Sequence, residues 1–149
     1  MKVTDFSIKK SLEEAKADAY LMTGDIHNAD IYYVTRFLAS DEFMYLQTGA
    51  GKEILFISEM ERGRAEIESR ISNIKTTQEF GYREKIKEKK DASIAYAACI
   101  SELLLGEEVK RIAVPYDFPV FYSSYLTEAG FTIMPIKSPF RKMRSVKRQ

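Results

Sequence analysis

The sequence of 149 residues is 45% apolar and 30% charged, and its 23 basic and 22 acidic residues leave a net charge of +1. This composition excludes a disordered tail, and the charge balance excludes a protein whose whole surface attracts nucleic acid or an anionic membrane. The single cysteine excludes an internal disulfide. No apolar run approaches the roughly 20 residues that span a bilayer. From the length and the single cysteine we predict one domain in the reducing cytoplasm. Neither nucleic acid nor a membrane is predicted as a partner.

The beginning of the chain predicts two short helices around a strand. Ser7 caps the first helix, and Asn28 or Asp30 caps a second that ends around residues 39–41. Residues 19–22 form either a brief strand or the end of the first helix. The apolar positions at helical spacing in the first helix are Ile8, Leu12, Ala15 and Ala19.

Two β-prone runs at residues 43–46 and 54–57 flank a loop with two glycines at residues 48–52. This arrangement predicts an antiparallel hairpin. The loop lacks the spacing of a phosphate-binding loop, and a strand follows it where such a loop requires a helix. Because the second run is apolar at every position, we expect it inside a sheet that is covered on both faces.

The next helix is predicted from a capping box, in which Ser58 and Glu61 satisfy each other's backbone amides. The side chains that share one face of this helix are Met60, Arg64, Ile67 and Ile71. A strand follows near residues 74–77.

The second half of the chain continues the alternation of helices and strands. The charged run 83–90 leads into a helix over residues 91–105 that Gly106 closes, with Cys99 on its alanine-rich face. A strand at residues 112–114 precedes a helix that Asp117 and Pro119 open and Gly130 ends. The last strand spans residues 131–136.

This order predicts an α/β fold, with a mixed, largely parallel sheet, an antiparallel hairpin and helices on both faces. Residues 1–138 form one domain. Residues 139–149 carry five basic residues and no apolar face, and they read as the start of a linker to a further domain that is absent from this sequence.

No catalytic residue and no metal ligand is predicted. His27 is the only histidine and is expected on a surface loop, while Cys99 is expected to pack as a small apolar side chain. A Cys–His pair of these two residues is possible only formally. The acidic pairs at 13/14, 66/68 and 107/108 lie in lysine-rich segments and are expected to be solvated.

One stretch combines aromatic and charged residues close to loop signals. Most of its aromatic side chains are expected in the core, and a few are expected to line a cleft. The candidates for a substrate cleft or a dimer contact are Tyr33, Arg36, Phe37, Asp41 and Phe43.

Several segments, in this order, resemble the N-terminal domain of the creatinase/prolidase family. They are D-I-Y-Y-V-T-R-F at residues 30–37, D-E-F-M-Y-L at 41–46, the strand at 54–57, E-M-E-R-G-R-A at 59–65 and P-F-R-K-M-R-S-V-K-R at 139–148. The resemblance covers essentially the whole chain, and it implies a ribonuclease-H-like fold.

The resemblance also implies a parent enzyme that removes an N-terminal residue from a proline-containing dipeptide or peptide. In that family a dinuclear centre of manganese, cobalt or zinc activates water, and its ligands belong to a following catalytic domain. No position of this sequence matches them, so no cofactor is expected in this chain. The implied partners are the chain's own catalytic domain, a second copy in a homodimer and a peptide substrate that the domain helps to roof over.

One residue departs from the family pattern, because Arg36 stands where a glycine is usual. We hypothesise that Arg36, with Asp41, faces the cleft and binds a substrate carboxylate or locks a dimer contact. A surface arginine in a salt bridge is the competing interpretation. For the whole chain, the alternative is a stand-alone module of the same fold that binds a peptide or protein.

Overall fold

The computed structural model describes residues 8–25, 27–141 and 143. Ser7, which was predicted to cap the first helix, and most of the basic residues after Phe140 lie outside the described residues. The strands are β1 (Ala19–Gly24), β2 (Phe43–Thr48), β3 (Glu53–Ile57), β4 (Ile74–Thr76), β5 (Arg111–Pro115) and β6 (Thr132–Ile136). The helices are α1 (Lys9–Ala15), α2 (Ala29–Thr35), α3 (Arg62–Glu68), α4 (Tyr82–Lys89), α5 (Ala92–Gly106) and α6 (Val120–Glu128).

The strands form one six-stranded sheet in the order β4-β3-β2-β1-β5-β6. The pairs β1/β5, β3/β4 and β5/β6 are parallel, and only the two pairs that involve β2 are antiparallel. The predicted fold class, a mixed and largely parallel sheet with an antiparallel hairpin, is confirmed. Residues 19–22 belong to a strand and not to the end of the first helix.

The predicted hairpin is formed by β2 and β3, with Tyr45 opposite Leu55 and Leu46 opposite Ile54. Its turn closes through a hydrogen bond of 2.9 Å from the Thr48 amide to the Lys52 carbonyl. Gly51 has a φ of 93°, which a side chain would oppose. The strand β3 lies inside the sheet, between β4 and β2, and its apolar run is buried, as the composition of the run predicts.

Helices cover both faces of the sheet, and each face has its own core. On the first face, side chains of α1, α2 and α3 pack against alternate residues of β1, β2 and β3. On the second face, α5 and α6 pack against the other set of alternate residues. Because the side chains of a strand alternate between faces, one buried sheet supplies both cores.

The helix after β3 differs from the prediction. Ser58 makes no capping hydrogen bond, residues 59–61 form a 3₁₀ turn, and α3 begins only at Arg62. Ala65 is the buried residue of α3, while Met60 in the 3₁₀ turn and Ile67 in the helix are 93% and 86% exposed. The predicted apolar face of this helix is therefore wrong.

Three other predicted helix boundaries are also corrected. The charged run 83–90 does not merely lead into a helix, because most of it belongs to α4. Gly106 is the last residue of α5, and the left-handed residue after that helix is Glu108, with a φ of 59°. The helix α2 ends at Thr35, several residues before the predicted break, because Arg36 adopts a left-handed conformation.

The segment after β6 returns to the first core. Phe140 is completely buried, and its ring centroid lies 5.7 Å from that of Tyr20 and 6.1 Å from that of Tyr45 in edge-on contacts. The sequence predicted no apolar face in this segment, and the described part of it contributes one aromatic side chain, Phe140, to the first core.

Candidate functional site

The carboxyl ends of five strands meet at one edge of the sheet, because only β2 runs in the opposite direction. In open α/β sheets, ligands usually bind in crevices outside this edge, where neighbouring connections diverge. Here the segment before β2 also reaches the same edge, since Gly24 at the end of β1 pairs with Phe43 at the start of β2. The carboxyl edge therefore collects loops from most of the chain.

A cleft of about 330 Å³ opens at this edge on the first face. It lies between the N-terminus of α2 and the segments that follow β5 and β6. Two aspartates, Asp30 and Asp117, and two basic residues, Lys137 and Arg141, are among its lining residues. We name this site the mixed-charge cleft. Charges of both signs suit a ligand that carries an anionic and a cationic group.

The wall formed by α2 depends on a close contact between β1 and the helix N-terminus. The side chain of Asn28 accepts a hydrogen bond of 3.0 Å from the Ile31 amide and thereby caps the helix. Gly24 permits this packing, because a Cβ added there would lie 2.7 Å from the Asn28 Cβ. Asn28 is thus the cap, and the sequence had left a choice between Asn28 and Asp30.

The opposite wall is joined to α2 through Ser138. The Ser138 hydroxyl donates a hydrogen bond of 2.6 Å to Asp30 Oδ2 and accepts one of 3.3 Å from the Phe140 amide. This link holds the C-terminal helical turn against α2, and it places Asp30 and Arg141 around the same cleft.

The aromatic members of the predicted site are core residues. Phe37 and Phe43 are 0% and 2% exposed, and their ring centroids lie 5.4 Å apart in an edge-on contact. Tyr33 is also buried, and the Arg64 guanidinium covers the Phe37 ring at 4.9 Å. The structure brings these three side chains together in the first core, where their contacts are packing contacts.

Arg36 and Asp41 are exposed, and no ion pair joins them in the described part of the chain. Arg36 has a φ of 57°, and its amide donates a hydrogen bond of 2.8 Å to the Tyr32 carbonyl. Its guanidinium lies 5.7 Å and 5.8 Å from the ring centroids of Tyr32 and Tyr33. Arg36 therefore has the left-handed backbone conformation that glycine, the usual residue at this position in the family, adopts without strain. Its side chain stacks on the helix that it ends.

Sequence reasoning missed a second cavity, of about 310 Å³, on the second face of the carboxyl edge. We name it the tyrosine cavity. Tyr82, Tyr96 and Tyr122 line it together with Asp41 and Glu42. The Tyr122 hydroxyl donates a hydrogen bond of 3.0 Å to Glu42 Oε1. The three tyrosines come from three separate helices, so no spacing in the sequence indicated that they meet.

The single cysteine and the single histidine lie in the surroundings that the sequence predicted for them. Cys99 is buried in α5, and burial raises the pKa of its thiol to about 11, so the thiol is protonated and inert near neutral pH. His27 is exposed in the loop after β1. Within residues 8–25, 27–141 and 143, no group of three or more His, Cys, Asp and Glu side chains is placed to hold a metal ion.

One acidic pair needs a correction, because Glu107 is not simply solvated. Its side chain is 15% exposed and accepts a hydrogen bond of 2.9 Å from Lys52 Nζ. The contact ties the end of α5 to the hairpin turn.

Among the helices formed by the described residues, none has the length and apolarity needed to cross a lipid bilayer.

The sequence of the chain matches the model of one protein family. The sequence model of the creatinase/prolidase N-terminal domain matches residues 7–146. The chain belongs to this family. A search of the curated proteins found no match. The resemblance seen in the motifs around residues 30–46 is thus confirmed over nearly the full length.

Solved structures with similar folds include prolidases and Xaa-Pro aminopeptidases. The prolidase of Pyrococcus horikoshii OT3 superposes with a TM-score of 0.65 at 19% identity, covering 97% of this chain and 34% of the prolidase. An aminopeptidase P of Streptococcus thermophilus gives 0.64 at 17% identity, with 91% of each chain covered. The N-terminal domain of the cytoplasmic peptidase PepQ from Mycobacterium tuberculosis H37Rv gives 0.60 at 13%, with 93% of each covered. The chain spans about a third of the Pyrococcus enzyme, and the likeness shows a shared fold.

Proposed function

We propose that this chain is the non-catalytic N-terminal domain of an Xaa-Pro dipeptidase- or aminopeptidase-like metallopeptidase of the cytoplasm. In this proposal the carboxyl edge of the sheet roofs the active site of a catalytic domain, and the domain supports a homodimer. The parent enzyme would use a dinuclear manganese, cobalt or zinc centre held by its catalytic domain.

The observation that carries the proposal is the composition of the carboxyl edge. Beside the mixed-charge cleft, the loop after β5 and the start of α6 leave three large apolar side chains uncovered: Tyr116 is 72%, Val120 78% and Phe121 45% exposed. Apolar side chains grouped beside a polar cleft are typical of a surface that meets another protein or a peptide. A peptide carries an amine and a carboxylate, which match the two signs of charge in the cleft.

In this proposal Arg36 and Asp41 remain candidates for contact with a substrate or with a second copy of the chain. Both are exposed, no ion pair joins them in the described part of the chain, and the Arg36 guanidinium stacks on the rings of Tyr32 and Tyr33. A substrate carboxylate or an acidic side chain of a second copy is a suitable acceptor.

The first experiment tests the non-catalytic assignment with the chain as it stands. The purified chain is incubated with Ala-Pro and, in turn, Mn²⁺, Co²⁺ and Zn²⁺, and release of proline is measured. No turnover above the buffer rate is expected with any of the metals. Metal-dependent release that persists after repeated purification would contradict the proposal.

The second experiment tests the roof in a chain that includes the catalytic half. Phe121→Ala and Tyr116→Ala are expected to lower kcat/KM for Xaa-Pro substrates by about tenfold each, because a buried aromatic contact is worth about 1–2 kcal/mol. Ile67→Ala, an exposed apolar side chain away from the carboxyl edge, is the matched control and is expected to leave kcat/KM unchanged.

Sedimentation of the same proteins measures whether they form the proposed dimer. A reading frame that stops after Gln149 would favour the stand-alone binding module.

A further inference from the structure

The tyrosine cavity is separate from the mixed-charge cleft, and Asp41 is the one lining residue to which the proposed function also assigns a role. Its wall combines one tyrosine from each of α4, α5 and α6 with the two carboxylates that precede β2. Its volume of about 310 Å³ is near the lower end of the range for small-molecule sites, about 300–1,000 Å³. The site therefore has room for one small group.

The three aromatic rings of the cavity are in contact and are inclined to one another. The Tyr96 centroid lies 5.7 Å from that of Tyr122 at an interplanar angle of 49°, and 6.2 Å from that of Tyr82 at 81°. The face of each ring carries negative potential, and rings that meet at different angles form the walls that hold ammonium groups in other proteins.

The charges around the cavity favour a cation. Asp41 and Glu42 line it, and within residues 8–25, 27–141 and 143 no Lys, Arg or His side chain does. Burial and then the negative charge of Glu42 raise the pKa of the Tyr122 hydroxyl, which keeps this group neutral. The adjacent N-terminus of α5 does not offer an anion site, because the Asp91 side chain already accepts a 2.9 Å hydrogen bond from the Ile94 amide.

One residue that lines the cavity, Tyr96, has a hydroxyl that lacks a partner among the described residues. The Tyr96 hydroxyl oxygen is buried and makes no hydrogen bond within the described structure, although Tyr96 lines the cavity. A buried hydroxyl without a partner costs about 1–3 kcal/mol, so native proteins rarely retain one. Its lone pairs can accept a hydrogen bond from an N–H group of a cation, and the second oxygen of Glu42 can accept another.

We propose that the tyrosine cavity binds a ligand through an alkylammonium group, held by the three tyrosine rings and the carboxylates of Asp41 and Glu42. The ammonium group donates hydrogen bonds to Glu42 and to the Tyr96 hydroxyl. An uncharged molecule of the same shape lacks both the charge and the donors, and it binds more weakly.

The test is an NMR titration of the full chain with n-butylammonium chloride, followed through amide shifts at constant ionic strength. Saturable shifts centred on Ala92 and Ser93 are expected. 1-Butanol, which has the same carbon chain, is expected to give no saturable shift. Equal binding of butanol, or tighter binding of inorganic phosphate at the same amides, would overturn the proposal.

Variants locate the site. Glu42→Gln is expected to raise the dissociation constant about tenfold, since a hydrogen bond to a charged group is worth about 1.5–3 kcal/mol. Tyr96→Phe keeps the ring but removes the hydroxyl, and it is expected to raise the dissociation constant severalfold. Glu14→Gln, an exposed carboxylate on α1, is the control and is expected to change nothing. An unchanged dissociation constant in Glu42→Gln would refute the site, and Asp41→Asn replaces that variant if it fails to fold.

Two sources share this ammonium chemistry, namely a free aliphatic amine and the amino terminus of a peptide. Glycinamide stands for the peptide terminus, and N-acetylglycinamide is its uncharged counterpart. Tighter binding of glycinamide than of n-butylammonium identifies a peptide, and the reverse order identifies a free amine. The titration needs only this chain, so its outcome is independent of the parent enzyme's activity.

Discussion

Arg70 and Glu53 form a two-pronged ion pair that connects the end of α3 to the start of β3. The Nη1–Oε1 distance is 3.1 Å, and the two side chains are 17% and 13% exposed. Glu53 also accepts a hydrogen bond of 2.6 Å from the Tyr45 hydroxyl, and Arg70 Nε donates one of 2.8 Å to the Val34 carbonyl. One partly buried carboxylate thus joins two strands and two helices.

Removal of Glu53 tests this network. Glu53→Ala removes the carboxylate that Arg70 and the Tyr45 hydroxyl share, and we expect it to lower the free energy of unfolding by about 2–3 kcal/mol. Urea denaturation measures the change. Glu66→Ala removes an exposed carboxylate 3.8 Å from Arg62 and is expected to cost less than about 0.5 kcal/mol. Equal losses in the two variants would contradict the network.

Glycine substitutions at left-handed residues test the stacking of Arg36. Lys90, with a φ of 55°, ends α4 as Arg36, with a φ of 57°, ends α2. Lys90→Gly is expected to raise the free energy of unfolding by about 1 kcal/mol, because glycine adopts this conformation without strain. Arg36→Gly gains the same amount but loses the contacts with Tyr32 and Tyr33, worth about 0.5–1 kcal/mol. Thermal denaturation measures the stability of both variants. An equal increase in Lys90→Gly and Arg36→Gly would show that the stacking of Arg36 does not stabilise the fold.

Two glycine-to-alanine variants test the close approach of α2 to β1. Gly24→Ala places a Cβ against Asn28 and is expected to lower the free energy of unfolding by about 1–3 kcal/mol. Gly63 lies within α3, where a Cβ would meet nothing within 4 Å. Gly63→Ala is therefore expected to raise the free energy of unfolding by about 0.5–1 kcal/mol. Chemical denaturation of both proteins is the measurement, and a stable Gly24→Ala protein would refute the packing argument.

The buried thiol predicts a pH dependence at alkaline pH. The folded pKa of Cys99 is raised from 9.0 to about 11, so above pH 9 the unfolded chain releases this proton and the folded chain keeps it. The free energy of unfolding therefore falls as the pH rises from about 9 to about 11, with up to about 1 kcal/mol per pH unit due to this group. Cys99→Ala is expected to make the decline shallower. An identical slope in both proteins would show that the thiol does not contribute.

The alternation of apolar runs predicted the sheet well, because a strand such as β3 that is buried on both faces has few other interpretations. Helix faces were harder to predict. A 3₁₀ turn precedes α3, and Met60 and Ile67 on the predicted apolar face are exposed. Apolar periodicity alone indicates neither the turn nor which face the sheet covers. The aromatic residues at 33, 37 and 43 were found as a group, but their burial depends on long-range packing. The tyrosine cavity was missed for the same reason.

Phe140 determines where a shortened version of this protein can end. Its ring fills the space between Tyr20 and Tyr45, which belong to the two central strands β1 and β2. A truncation at Ser138, where composition placed the end of the domain, would open a void in the first core and expose both tyrosine rings. The minimal folding unit therefore includes the first residues of the segment that reads as a linker.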